Sequence, residues 1–428
     1  MRKLEDVLRS SLFFVPMMFV LGSVVLAQVL LAVDERVDHL SPSLTATVDS
    51  SRNVLAVVAG ATLTFAGIAF SISLLLISMA ASQYSPRVVH GLFRDPFNKR
   101  VMGVVVGTFS YCLVVMRAVR GPLEDSGQPV VPSLATLLAV ILGIVSVLSI
   151  IAFISHSAHS MDVSLILHRV TEDAIASVLS TWRLEADPSA SEVVEPPEVD
   201  GFTISFSAHG WIQQVDEARM LEILPPRGCL RLETVPGRYA IAGTPLCTLW
   251  PVPAPDDAEG LDAIVRQAVV LGEARTMQQD VTYGVRQLAD VALKALSPGV
   301  NDPTTAQDAI FHLGTVVRAL LARTAPPRHR CGAEGRVLLL PQEVSHMEVI
   351  GLAFDEIRIA SAGQPTVQIY LLEVLELIML SLPDDGGTEV GAALREQADL
   401  VLEVSRLAEL PASDLARVGA AHEHRFPR

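Results

Sequence analysis

VLAVVAGATLTFAGIAFSISLLLISMAA, from Val54 to Ala81, is a run of 28 residues without one charged side chain. An ordinary soluble core helix does not carry such a run, whereas a bilayer crossing needs about 20 predominantly apolar residues. At a rise of ~1.5 Å per residue the run measures about 42 Å, so the helix is expected to tilt or to project beyond the hydrocarbon. Gly60, Thr64, Gly67, Ser71, Ser78 and Ala81 recur at three- and four-residue steps, interrupted at Leu74, which sets small and hydroxylated side chains in one stripe. Two readings compete. The stripe either packs against a neighbouring helix, or copies of the helix surround an axis in a homo-oligomer. In the second case Thr64, Ser71 and Ser78 wet a path that Gly67 also lines and that Phe70 or Phe65 narrows, because hydroxyls hold water and apolar rings close a pore by dewetting.

Three more runs qualify on either side of it: Ser11–Val33, Val101–Ala118 and Ser133–Ile154. The third crossing is the shortest and ends at Arg117, which can snorkel to an interface. Residues 1–160 are therefore expected to be a transmembrane domain with spans at about 11–33, 54–81, 101–118 and 133–154. Flanking charge orients it. Arg2, Lys3 and Arg9 precede the first span, and Arg87, Arg94, Lys99 and Arg100 lie between the second and third, while the loop after the first carries Asp34, Glu35, Asp38 and Asp49. Both termini are expected in the cytoplasm, with Arg87 and Arg94 at the cytoplasmic exit of the second span.

The chain of 428 residues has a mean hydropathy of +0.43 and a net charge of −15, with 18% charged residues. Because the first 160 residues are slightly basic, the remainder carries more than all of that negative charge, which argues against a nucleic-acid surface. Cys112, Cys229, Cys247 and Cys331 show no CxxC spacing and are read as reduced thiols. The histidine pair His156 and His159 lacks a third ligand nearby, so no metal is expected.

The soluble part is expected to be α+β. Residues 161–200 form a juxtamembrane helix and a Pro-rich linker, 201–255 a small β module, and 256–428 a helical region. Short β-like runs cover Thr203–Ser207, His209–Val215, Cys229–Thr234 and Tyr239–Leu249, with Pro236-Gly237-Arg238 read as a hairpin turn. The most distinctive stretch is Gly272–Ala306. Val281, Val285, Leu288, Ala292 and Leu296 form one helix face that stops at Ser297-Pro298-Gly299; Asp302 and Pro303 then start a helix running to about Ala322. Helix-joint chemistry accounts for most of it. A functional reading is that Arg275, Asp280, Arg286 and Asp302 converge on a ligand, an ion or a neighbouring subunit.

Gly67-Ile68-Ala69-Phe70-Ser71, Gln83-Tyr84-Ser85-Pro86-Arg87, Gly107-Thr108-Phe109-Ser110-Tyr111 and the string from Ala295 to Thr304 resemble a bacterial family of predicted membrane proteins, DUF2254. The resemblance spans almost the whole chain and implies a bacterial inner-membrane location. It carries no catalytic residues over. The chain has no GxxxxGK[ST], HExxH, GxSxG or GxGxxG motif, so no enzyme class and no cofactor is expected. Nor do the second and fourth spans hold the ionisable groups that proton- or sodium-coupled transporters use. The leading expectation is a homo-oligomeric channel lined by the second span, with a cytoplasmic domain for assembly or sensing. The alternative is a membrane-anchored scaffold or sensor. Expected partners are membrane lipid, further copies of the chain, and an ion or small ligand, with no nucleic acid.

Overall fold

A computed structural model describes residues 14–36, 47–83, 96–120, 131–159, 162–182, 184, 194–341, 344–382 and 387–427. The chain divides into two compact units, Met1–Leu165 and Ile166–Arg428.

The first unit contains α1 (Phe14–Asp34), α2 (Val48–Gln83), α3 (Pro96–Ala118) and α4 (Ser133–His159). All four are long and apolar enough to cross a membrane. The helices run past the apolar runs read from sequence: α2 begins at Val48 and α3 at Pro96, because polar ends such as Asp49 and Lys99 still hold helical backbone. α3 is the hub, packed on α1, α2 and α4. Its Gly103 and Gly107 lie where α1 crosses, and a Cβ on either would fall 2.6 Å from the Phe19 ring or 2.7 Å from the Ser23 hydroxyl. This is a GxxxG contact, in which missing side chains let two backbones approach.

Several polar groups inside the unit are paired, which lowers the cost of burying them in a low-dielectric interior. The Ser146 hydroxyl donates to Thr108 Oγ1 at 3.0 Å, and the Tyr111 hydroxyl donates to the Ala135 carbonyl at 2.9 Å. At the start of α4, Asp34 accepts from the backbone N–H groups of Leu134 and Ala135 at 3.0 and 2.9 Å, satisfying donors that a helix leaves open at its first turn. The outer face of the bundle is a near-continuous apolar surface, with Met17, Leu21, Val25, Leu137, Ile144 and Leu148 exposed. A surface of that kind belongs in lipid rather than in water.

Helix α5 (Val163–Thr181) begins at the boundary and lies mostly in the second unit, followed by β1 (Phe202–Ser205), β2 (Gly210–Val215), α6 (Glu217–Glu222), β3 (Cys229–Leu232), β4 (Tyr239–Ala240), β5 (Pro245–Trp250), α7 (Pro255–Gln267) and β6 (Val269–Gly272). Then come α8 (Val281–Leu296), α9 (Pro303–Leu321), β7 (His329–Cys331), β8 (Val337–Leu339), α10 (His346–Ala360), α11 (Pro365–Leu380), α12 (Gly387–Leu407) and α13 (Ala412–Arg425).

Two sheets form, a five-stranded one in the order β1-β5-β3-β8-β7 and a three-stranded one in the order β4-β2-β6. They enclose a core of Ile204, Ile212, Met220, Leu230, Leu246 and Leu338, closed by α6 and α7. The run Tyr239–Leu249 is not one strand. Gly243, with a backbone φ of +89°, turns the chain so that β4 and β5 join different sheets, and Pro245 is left at the first residue of β5, where its missing N–H costs no ladder bond. For the same reason Gly237 turns the chain between sheets rather than within a hairpin. Strands β6, β7 and β8 come from the stretch whose pattern reads as helical, and β8 pairs in parallel with β3. Around them α8 and α9 form an antiparallel pair on which α10 and α11 pack.

Candidate functional site

The second-span stripe lies on the outside of the bundle. Thr64, Gly67, Phe70, Ser71 and Ser78 are all exposed, while the inward face of α2 is made by Ser51, Leu55, Ala59, Thr62 and Ala69. Nothing lies within 4 Å of where a Cβ on Gly60 or Gly67 would sit. The stripe therefore packs against no helix of its own unit among the described residues. Inside the unit small residues make close contacts elsewhere, at Gly103 and Gly107 against α1 and at Gly143 of α4 against Val58 of α2. Along the stripe the Thr64 hydroxyl donates to the Gly60 carbonyl and the Ser71 hydroxyl to the Gly67 carbonyl, both at 2.9 Å. These bonds satisfy the donors and leave the oxygen lone pairs turned outward. Arg87 and Arg94, named as exit residues, lie outside the described residues.

In the second unit the four residues singled out around the α8–α9 joint fall in three places. Arg275 and Asp280 meet. Asp280, 5% exposed, caps α8 by accepting from the Tyr283 N–H at 3.2 Å, and its other oxygen takes Nε and Nη2 of Arg275 at 2.9 and 2.6 Å. Thr282 donates to the capping oxygen at 2.7 Å. The Arg275 guanidinium lies 5.0 Å from the centre of the Tyr283 ring and 5.7 Å from that of Trp211, an arrangement that favours a cation over aromatic faces. The segment between them is fastened to β2 by Gln279, which donates to and accepts from the Val215 backbone, and by the Gln214–Gln278 pair.

Arg286 sits further along α8 and binds elsewhere, bridging Asp290 at 2.8 Å and Glu356 of α10 at 2.6 Å. The hydrogen bond to Glu356 holds its pKa above the usual guanidinium value. Asp302 is beyond the far end of α8, roughly 24 Å from Asp280 for a 16-residue helix at ~1.5 Å per residue. There it caps α9, accepting from the Thr305 hydroxyl at 2.6 Å and the Thr305 N–H at 3.1 Å, and those two bonds, hydroxyl first, pull its carboxyl below the usual range. One helix length thus keeps Asp280 and Asp302 from acting on a common ligand.

The Arg275–Asp280 pair is a closed clamp between the β layers and α8: every oxygen of the carboxylate is used within the fold. What the sequence reading missed is its surround, the nearby Tyr283 together with Trp211 and Gly237 from two other parts of the chain. Only Tyr283 had a local signal, standing one turn into a helix beside the cap. The four cysteines are free thiols, and burial pushes the Cys247 thiol up to about 12, which leaves it un-ionised at neutral pH.

A bundle of four apolar helices with lipid-type outer faces, joined to an α/β unit, defines an integral membrane protein with several spans. The family described as "Predicted membrane protein (DUF2254)" matches residues 9–377, and the chain belongs to it. Uncharacterized proteins of Mycobacterium bovis and Mycobacterium tuberculosis are each 30% identical to it over 377 residues, which cover 87% of this chain and 71% of theirs. No solved structure matches the chain.

Proposed function

We propose that the protein is a homo-oligomeric channel of the bacterial inner membrane, with α2 lining the path and the second unit in the cytoplasm serving assembly or sensing. The observation that supports this reading is the outward stripe of Gly60, Thr64, Gly67, Ser71 and Ser78, which is uncharged, exposed, and open above its glycines. Among the described residues nothing covers it, and a second copy of α2 is the neighbour that a small-residue stripe fits. Phe70 at the edge of the stripe supplies the apolar constriction. Both termini, Arg87 and Arg94 belong on the cytoplasmic side in this reading, which assigns no enzymatic step.

A membrane-anchored scaffold or sensor is the second reading, and one observation favours it. The hydroxyls of Thr64 and Ser71 are already satisfied by carbonyls of their own helix, so the stripe needs no water.

Planar-bilayer conductance of the purified protein separates the two. A channel gives discrete currents that fall with Ser71→Leu and become leakier with Phe70→Ala, at unchanged oligomer size by native mass spectrometry. Silence of the wild type, or currents indifferent to both substitutions, removes α2 from the path.

A further inference from the structure

Helix α13 packs on α11 and α12 through Leu415, Val418, His422 and Arg425, whose three- and four-residue spacing lines one face of a helix. Of these only Val418 is fully buried, and Phe426 follows just beyond the last turn. The neighbouring α12 is held differently. Its inward side chains Val390, Ala393, Leu394, Ala398 and Val401 are all apolar and buried. In α13 the half of the seam nearer its C-terminal end is made instead by an imidazole and a guanidinium, His422 and Arg425, with side chains 12% and 19% exposed.

Carboxylates from both neighbouring helices meet them. His422 Nε2 lies 2.8 Å from Oδ1 of Asp399 on α12, and Arg425 lies 3.1 Å from Glu376 and 3.7 Å from Glu373 on α11. The closer Arg425 contact is coulombic alone. Its Nε is buried without a hydrogen bond, which is unfavourable while the helix is seated and is relieved by water once it lifts. Asp399 is mostly exposed, so salt screens its hold on His422. Ion pairs that reach solvent in this way stabilise little. The connection from α12 adds to the imbalance: Glu409 has a φ of +51°, a conformation that is costly for a residue with a side chain.

We infer that α13 is a releasable strap, latched by charge across α11 and α12, which lifts as one unit while the helices beneath it stay folded. Lifting exposes Leu372 and Met379, which stand one turn to either side of Glu376 on the same face of α11. The second unit then presents an apolar flank edged by Glu373, Glu376 and Asp399, and that flank is covered as long as the latch holds.

The test is hydrogen exchange of the full-length protein in nanodiscs, read by mass spectrometry at constant pH in about 50 and about 500 mM sodium chloride, between which the screening length falls about threefold. The amides of α13 are expected to exchange together, ahead of those of α12, and about threefold faster at high salt, with α8 unchanged. Arg425→Gln should speed α13 at low salt and shrink its salt response, whereas Arg417→Gln, on the exposed side of the helix, should leave both as they are. Should Arg425→Gln not fold, Glu376→Gln removes the same pair from the α11 side. Protection of α13 equal to that of α12, exchange graded inward from Arg425 and indifferent to salt, or a salt response left intact by Arg425→Gln and Glu376→Gln overturns the inference.

Discussion

The carboxylate of Asp280 lies directly against the α-carbon of Gly237, so that a Cβ at that glycine would occupy the space of Asp280 Oδ2. Gly237 also has a φ of +86°, a backbone region that L side chains adopt at a cost of about 1–2 kcal/mol. Gly237→Ala meets both penalties at once, strain and a displaced carboxylate. We expect a loss of roughly 3 kcal/mol, read as a lower midpoint of chemical denaturation by tryptophan fluorescence. Gly243→Ala carries the same kind of backbone strain with open space around it and should cost only about half as much.

Arg275 is the counter-ion of a carboxylate that is 4% exposed at its side chain, so removing the cation leaves a buried charge. Arg275→Met is expected to destabilise the protein by about 2–4 kcal/mol, toward the lower end for a pair whose arginine still reaches solvent. Adding Asp280→Asn to that variant should recover part of the loss, because Asn still caps α8 while carrying no charge. A double-mutant cycle in denaturant checks it. Additive losses would mean the two side chains are not coupled.

How much of this was legible in the sequence depends on the distance over which each feature is decided. The four apolar helices and the cap at Asp302 are set within a few residues, and local chemistry carries them; the cap at Asp280 is as local, yet Asp280 was read only as a ligand or interface candidate. Val269–Gly272 is only four residues long and follows directly on α7, so its period cannot be told from the helix; β8 is a strand because β3, about a hundred residues earlier, offers it an edge. The α2 stripe was visible as a pattern, yet which way it faces is set by the opposite side of α2, where Leu55, Ala59, Thr62 and Ala69 are buried in the bundle. Arg275 and Asp280 are close in sequence and meet; Arg286 and Asp302 were grouped with them although a rigid 16-residue helix separates the ends. The placing of Arg231 and His329 on one sheet had no local signal at all, since only β8, paired with both of their strands, brings them to either side of Leu339.

Gly107 of α3 is where α1 comes closest, with the Phe19 carbonyl 3.3 Å and the Ser23 hydroxyl 2.7 Å from the place of a Cβ. The backbone of α1 cannot swing aside as a side chain can. Gly107→Val should therefore separate α1 from α3 and cost about 1–3 kcal/mol, the range for overpacking a close contact. A cysteine pair placed at Phe19 and Gly103, whose Cβ positions are 3.2 Å apart, reports the separation: its disulfide should form readily in the parent and slowly when Gly107→Val is present. Equal rates would show that α1 does not depend on this contact.

Asp302 supplies the last prediction, and its sign follows from the bonds at the cap. The Thr305 hydroxyl and N–H both donate to the carboxylate, which lowers its pKa in the folded state below the unfolded value near ~3.9. A carboxyl with a depressed folded pKa contributes stability that is complete above the unfolded pKa and disappears as pH falls through the folded one. At pH 7 Asp302→Ala should cost about 1 kcal/mol, the usual worth of a helix N-cap. Below about pH 4 the gap between the variant and the parent should narrow, because protonation removes the same contribution from the parent. Asp302→Asn keeps a cap that does not titrate, so its stability relative to Asp302→Ala should stay flat across the range. Unfolding by urea at pH 7, 5 and 3.5 measures all three proteins on one scale, and a gap between Asp302→Ala and the parent that widens in acid would show that the cap is not what ionised Asp302 contributes.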